Sequence, residues 1–251
     1  MLVMIIGALG DAHGHKYLDS VKGLDEDLHN VDLILLAGDI AESNRESEFE
    51  YVVGKIRESS RAPIVGVFGN DEWEQSRDDY RKKFPITFLD DQTTMVSVDG
   101  TKIKIVGTTG SLDRPTWWQR THVPDIWKKY KERVSKINSL LDREDSDMLI
   151  LLMHYAPTYL TLEGEKERAF PEMGSKLFEP VLLKAQPDLV IHAHAHGGKR
   201  KAILKEVQKS LDDFKARVLE VPIYNVSLPL VGRVTKFLVD RGKDGLHVKV
   251  Q

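Results

Sequence analysis

Cysteine is absent from the 251 residues. That excludes disulfides, thiolate metal sites and cysteine nucleophiles, and it suits a reducing compartment. Long apolar runs are absent too: those present, such as Leu33-Ile34-Leu35-Leu36-Ala37, are far too short to span a bilayer. Met1 to Ile6 is apolar, but no basic segment precedes it and Asp11 follows closely, so a cytoplasmic protein without a secretory leader is expected. No charge sign dominates. Lys and Arg number 36 against 39 Asp and Glu, for a formal net charge of -3. Such a balance gives no polyanion-binding surface, which disfavours nucleic acid as a partner. Internal repeats, linkers and low-complexity tracts are also missing. With 41% apolar residues, a single domain over 1–251 is expected.

What is present alternates short apolar runs with charged, helix-like segments. Leu2–Gly7, Asp32–Ala37, Pro63–Phe68, Met148–Met153 and Asp188–His192 read as strands buried on both faces. Phe49, Val52, Val53 and Ile56 recur at helical spacing, and residues 118 to 141 carry a mostly helical pattern. Met95–Val98 and Lys102–Gly107 flank Asp99-Gly100, a two-residue hairpin signal. Ile203, Val207, Leu211 and Phe214 fall on one helical stripe, and Arg217–Val221, Arg233–Val239 and His247–Val250 read as further strands, the last two joined by a turn at 242–245. The pattern predicts a layered α/β protein, with one large mixed sheet or two sheets packed face to face.

The densest chemistry lies at Val190-Ile191-His192-Ala193-His194-Ala195-His196-Gly197-Gly198. Clustered imidazoles cannot all hold protons, and a metal ion satisfies several at once. Four other strand-like runs also end in metal-capable residues: Asp11 and His13, Asp39, Asn70 with Asp71 and Glu72, and His154. Taken singly, each has a plainer reading: Asp39 as a turn or cap, Asn70 as an Asx-turn residue, His154 as a core histidine. Together they form an ordered set at strand ends, where ligands of open α/β sheets bind. Gly14, Gly38, Gly69 and Gly197 let the chain turn sharply beside them.

This ordered set resembles the calcineurin-like metallophosphoesterase superfamily, whose pattern runs D-x-H, G-D, G-N-H-D/E, H and G-H-x-H; the match extends from Asp11 to His196. The resemblance implies a four-layer αββα sandwich of two mixed sheets carrying a dinuclear metal centre. By position, one cation would be held by Asp11, His13, Asp39 and His196. The other would be held by Asp39, Asn70, His154 and His194, with Asp39 bridging. A nitrogen and oxygen set without thiolates suits two divalent transition metals among Mn, Fe, Ni, Co and Zn, with Mn favoured. Two such ions about 3.5 Å apart generate hydroxide from a bridging water near neutral pH, which can attack phosphorus without a protein nucleophile. The expected activity is that of a metal-dependent phosphohydrolase.

Two departures from the pattern stand out. Ala193 replaces a glycine, a change of one methyl. Asp71 stands where the family has a histidine that contacts phosphate and is the proposed acid for the leaving group. Asn70 and Asp71 are therefore the candidate catalytic residues, with the leaving-group acid left open. Two unit charges about 6 Å apart interact by roughly 3 kcal/mol at an effective dielectric near 20. An anion at position 71 would oppose a monoester dianion about twice as strongly as a diester monoanion. A small phosphodiester or nucleotide-like substrate is expected, and relatives lacking the histidine are credited mainly with diesterase activity. The competing readings are a nuclease of the same superfamily, which the acidic balance disfavours, and a catalytically silent scaffold, which the filled ligand positions disfavour.

Around this centre, His192 reads equally as packing or as support for the ligands, His15 as a helix-start residue, and Asn225 as an approach to the site from the tail. Trp117 and Trp118 beside Arg114 offer base stacking, against a plainer reading of one packed Trp and a solvated Arg. Residues 155–172 read as a flap, and Lys199-Arg200-Lys201 as an attractor for anions or simply solvated surface.

Overall fold

The computed structural model describes residues 3–209, 216–242 and 245–251. Twelve strands occur among them: β1 Val3–Leu9, β2 Leu33–Ala37, β3 Ile64–Val67, β4 Thr87–Leu89, β5 Gln92–Val98, β6 Thr101–Thr108, β7 Met148–Met153, β8 Leu189–His192, β9 Lys201–Lys209, β10 Ala216–Asn225, β11 Thr235–Gly242 and β12 Gly245–Val250. The helices are α1 His15–Leu18, α2 Leu24–Leu28, α3 Glu46–Ser59, α4 Arg77–Lys83, α5 Trp117–His122, α6 Ile126–Leu140, α7 Glu179–Ala185 and α8 Leu228–Val231.

The strands form two six-stranded mixed sheets, in the orders β12-β11-β1-β2-β3-β4 and β5-β6-β7-β8-β10-β9. In the first, β1 to β4 run parallel and β11 pairs antiparallel with β1. In the second, β6, β7, β8 and β10 run parallel, with β5 and β9 antiparallel at the edges.

Side-chain alternation builds the layers, because successive residues of a strand face opposite ways. Along β2, Leu33, Leu35 and Ala37 join Ile103, Ile105, Ile150 and Leu152 between the sheets. Ile34 and Leu36 face out onto Phe49, Val52 and Ile56 of α3. On the far side, Leu149, Leu151 and Val190 pack against Ile137 of α6 and Val181 and Leu182 of α7. Helices, sheet, sheet and helices make the αββα sandwich. Burial on both faces explains why β2, β7 and β8 read as unbroken apolar runs.

Two local expectations are corrected. Residues 203–207 lie in β9, which pairs antiparallel with β10, and are not helical. Ile203 and Val207 are four apart, a spacing that fits one face of a strand as well as one stripe of a helix, so periodicity alone misled. Leu211 and Phe214 lie outside the described residues, as does the middle of the turn expected at 242–245. The long helical pattern is broken into α5 and α6 between Val123 and Asp125, where Pro124 lies and Asp125 has φ 55°. The strand β4, three residues long, was not among the strands expected from the sequence.

Candidate metal centre

The parallel strands of both sheets deliver their carboxyl ends to the same edge of the sandwich. Asp11 and His13 follow β1, Asp39 follows β2, Asn70 and Asp71 follow β3, His154 follows β7, and His194 and His196 follow β8. Main-chain hydrogen bonds stitch these loops together: Asp11 N–H donates to Gly38 O at 3.0 Å, His13 N–H to Asp39 O at 3.0 Å, and Ala193 N–H to His154 O at 3.1 Å. Glycine is required at two of these crossings. Gly38 has φ 82°, and a Cβ there would lie 2.6 Å from Gly69 N and 2.9 Å from His154 Nδ1. A Cβ on Gly69 would run into the Asp39 carboxylate.

All seven sequence-predicted ligands are brought together. Ligand atoms of Asp11, His13 and His196 lie within 4.8 Å of one another, as do those of Asp39, His154 and His194. Asn70 Oδ1 lies 3.1 Å from His154 Nε2, joining the second group. A third cluster, His13, Asp39 and Asp71, shares members with both. Asp39 Oδ2 stands 3.4 Å from His154 Nε2 and 3.9 Å from His13 Nε2, between the two groups. Four of these residues have left-handed backbone: Asp11 at φ 54°, His13 at 45°, Asp39 at 51° and His194 at 70°. Such strain costs on the order of 1–3 kcal/mol per residue and concentrates at functional sites.

The electrostatics match a cation-holding cage. Burial disfavours the charged form of Asp11, yet hydrogen bonding to His196 and the charge of His154 hold its carboxyl well below the usual range. Burial likewise works against a charged His154, but the Asp39 and Asp11 carboxylates push it up to about 9. His194 is pushed down to about 4, by burial and by the neighbouring His154. Burial opposes a charged His13 too, and Asp71, Asp39 and Asp11 raise it. Asp71 is lowered despite burial, through His13 and the Ser43 amide. In this environment Asp11 Oδ1 and both ring nitrogens of His13 are buried with no hydrogen-bond partner. Buried polar atoms are almost always paired, so Asp11 Oδ1 and one nitrogen of the His13 ring are what a bound cation would satisfy. The residues fit a pair of divalent ions.

His154 shows how its ring is aimed. Nδ1 lies 2.9 Å from the carbonyl oxygen of Ala37, which only accepts, so Nδ1 carries the proton and Nε2 faces the site.

Two supports were not read from the sequence. The buried Glu72 carboxylate accepts the amides of Asp39 (3.0 Å), Ile40 (2.7 Å), Ala41 (2.9 Å) and Gly69 (2.7 Å), locking the Asp39 turn to the β3 loop. Burial and the Asp39 charge push Glu72 up to about 7, while the amides pull it down. Tyr17 packs edge-on against His13 and His196, each at 5.6 Å between ring centroids. Its position four residues after His13 was the only available signal.

The peripheral readings divide. His192 is buried, with Nδ1 bonded to Ala193 O at 2.7 Å, and burial depresses it to about 4; it packs. His15 starts α1 and stacks on Tyr51 away from the centre. Asn225 braces the histidine loop by donating to Ala195 O at 2.7 Å and does not enter the site. Trp117 and Trp118 are 67% and 58% exposed, so neither packs into the core. Arg114 is not free in solvent: it pairs with Glu172 at 3.0 Å and donates to Arg168 O at 2.7 Å. Residues 155–172 are tied down as well, since Tyr159 donates to Asp113 at 2.8 Å and Phe170, Tyr159 and Met173 pack on Ala156 and Leu162. Lys199 pairs with Glu163, Arg200 donates to Val231 O and Lys201 lies over Tyr224, so the three do not act as one patch.

Beside the centre lies a cleft of about 580 Å³, reached from Asn70 and His194 and walled by Leu112, Trp118, Ile126, Tyr130 and Tyr155. A capping box at Thr116 starts α5 and sets Trp118 and Gln119 along it.

The calcineurin-like phosphoesterase family model matches residues 4–198. No protein of curated function matches the chain in sequence. Among solved structures, it is similar to TT1561 of Thermus thermophilus, at 15% identity and a TM-score of 0.55, covering 99% of both chains. It is also similar to the NAD nucleotidase of Haemophilus influenzae, at 13% identity and 0.55, covering 99% of this chain and 55% of that one. A purple acid phosphatase from yellow lupin (Lupinus luteus) superposes at 12% identity and 0.53, over 100% of this chain and 51% of the other. The chain thus spans about half the length of those last two enzymes. With the family pattern matched over most of its length and the donors gathered at the strand ends, the chain belongs to the calcineurin-like phosphoesterase family.

Proposed function

We propose that residues 1–251 act as one domain, a two-cation phosphohydrolase that prefers small, nucleotide-like phosphodiesters. The observation that carries this reading is the gathering of seven donors from five loops around the orphaned Asp11 Oδ1 and His13 ring. Asp11, His13, Asp39 and His196 would hold one cation, and Asp39, Asn70, His154 and His194 the other. Bound there, divalent ions polarise water and offset charge on the phosphoryl group. A mixed set of four imidazoles and three oxygen side chains, with no thiolate, accepts Mn among other divalent ions.

The chain's own groups shape the rest. The His154 ring is held by Ala37 O, and the Asp39 turn by Glu72, so the donors are positioned before substrate arrives. Asp71 places a half-buried negative charge beside His13. That charge opposes a dianionic monoester more than a monoanionic diester, and an ionised carboxylate has no proton to give a leaving group. Water is then the proton source for the leaving oxygen. The adjoining cleft is within the size range of small-ligand sites, and its apolar wall with aromatic rings suits an organic ester group such as a nucleoside.

The test compares bis-p-nitrophenyl phosphate with p-nitrophenyl phosphate under added manganese, with Asp39→Ala as control. Faster diester turnover that Asp39→Ala abolishes is expected. Faster monoester turnover refutes the preference, and full activity in Asp39→Ala refutes the site.

A further inference from the structure

A ligating imidazole needs its second nitrogen anchored, because that bond sets the tautomer and turns the ring. His154 is anchored by a main-chain carbonyl. His13 has no such bond: the residue is only 8% exposed, yet neither of its ring nitrogens has an aligned hydrogen-bond partner. What faces its Nδ1 is the Asp71 carboxylate, with Oδ2 at 3.2 Å, while Nε2 faces Asp39 at 3.9 Å. The ring thus has the same polarity as His154, with one nitrogen turned outward to an acceptor and the other turned inward to the bridging carboxylate.

Asp71 is itself held in place. Its Oδ2 accepts the Ser43 amide at 3.1 Å, and its Oδ1 accepts from Asn70 Nδ2 at 3.3 Å. Asn44 reinforces the arrangement by accepting the Trp73 amide at 3.0 Å and donating to Ser76 at 2.8 Å, which clasps the β2 loop to the β3 loop. The carboxylate is therefore located by the backbone of one loop and the side chain of another, and its free direction is toward His13.

We propose that Asp71 is the positioning residue of His13: its carboxylate accepts the Nδ1 proton, fixing the tautomer whose Nε2 is available to a cation. This rests on the two-cation reading above and assigns position 71 to the metal centre rather than to the leaving group. Replacing an anionic anchor of a ligating histidine costs about ten- to a hundred-fold in metal affinity. The loss is confined to the site containing His13, because the His154 ring has its own anchor in Ala37.

Metal-stripped wild type, Asp71→Asn and Asp71→Glu are titrated with Mn(II) by calorimetry, with thermal melts alongside. The ring nitrogens of His13 are followed by ¹⁵N NMR in the Zn(II)-loaded proteins. Wild type is expected to bind two ions, with His13 protonated at Nδ1. In Asp71→Asn one site weakens about ten- to a hundred-fold, the other is unchanged and the His13 tautomer becomes mixed. Asp71→Glu recovers part of the lost affinity. Two unchanged sites in Asp71→Asn overturn the proposal and leave the two-cation reading intact. Weakening with an unaltered His13 tautomer overturns it in favour of direct ligation, and equal weakening of both sites with a lowered Tm overturns it in favour of a purely structural role. Failure of wild type to bind any ion removes the two-cation reading and the proposal with it.

Discussion

Glu72→Gln isolates the support beneath Asp39, the aspartate that stands between the two donor groups. Glu72 offers four lone-pair contacts to four amides, two on each carboxylate oxygen: Ile40 and Ala41 on Oε1, Asp39 and Gly69 on Oε2. Glutamine has nearly the same shape, but one oxygen becomes an amide nitrogen whose hydrogens point at two donors. Each buried donor left without an acceptor costs about 1–3 kcal/mol, so two cost about 2–6 kcal/mol. Removing the repulsion between Glu72 and Asp39 offsets part of that, which places the expected loss in the lower half of the range. A loss of about 2–4 kcal/mol is a large share of a typical folding free energy of about 5–15 kcal/mol. For a chain of this size it lowers Tm by roughly 5–15 °C. Because the freed amides belong to the Asp39 turn, the variant is also expected to retain less metal after desalting. Differential scanning calorimetry with metal analysis reads both effects. A variant melting within 2 °C of wild type, as an approximate threshold, with full metal content would show that the four-amide cradle contributes little.

His154 supplies a pH signature. Its folded value, about 9, lies above its ordinary 6.5, since the Asp39 and Asp11 carboxylates outweigh burial. This group therefore stabilises the metal-free protein fully below pH 6.5, and the contribution is lost as pH rises through 9. The chelated protein is expected to show a falling Tm between pH 7 and 9, as an approximate window, and a rising Tm there would refute the assignment. The same proton competes with metal, so binding near pH 7.5 should release about one proton, read by calorimetry in buffers of different ionisation enthalpy. Trp118→Ala removes the exposed ring at the cleft: KM for a nucleoside-bearing diester should rise about five-fold or more, with metal content and kcat unchanged, since a base-stacking contact contributes about 1–3 kcal/mol. An unchanged KM would remove Trp118 from the substrate path. Gly69→Ala should lose metal, because its Cβ would meet the Asp39 carboxylate; a variant that keeps two ions would refute that crowding.

The candidate donors and the layered fold were legible because their causes are local. A strand buried on both faces must be an unbroken apolar run, as Leu33 to Ala37 and Met148 to Met153 are, and the turn that ends it must carry whatever chemistry the edge presents. Hence Asp11, Asp39, Asn70, His154 and His194 stood out as candidate donors at strand ends, while their assignment to two cations came from the resemblance of the ordered set. Residues 203–207 were misread for a related reason: whether a four-residue spacing belongs to a strand or a helix is decided by the partner strand, here β10, and not by the segment itself. Tertiary structure alone decided what each side chain meets across the fold. Glu72 reaches amides some thirty residues away, Asp71 comes to face the second nitrogen of His13, and Arg114 pairs with Glu172. Such pairings depend on how two sheets and their loops close in space. Sequence specifies which groups a strand end carries, while the orientation of a ring and the partner of a buried charge are set only when distant loops pack together.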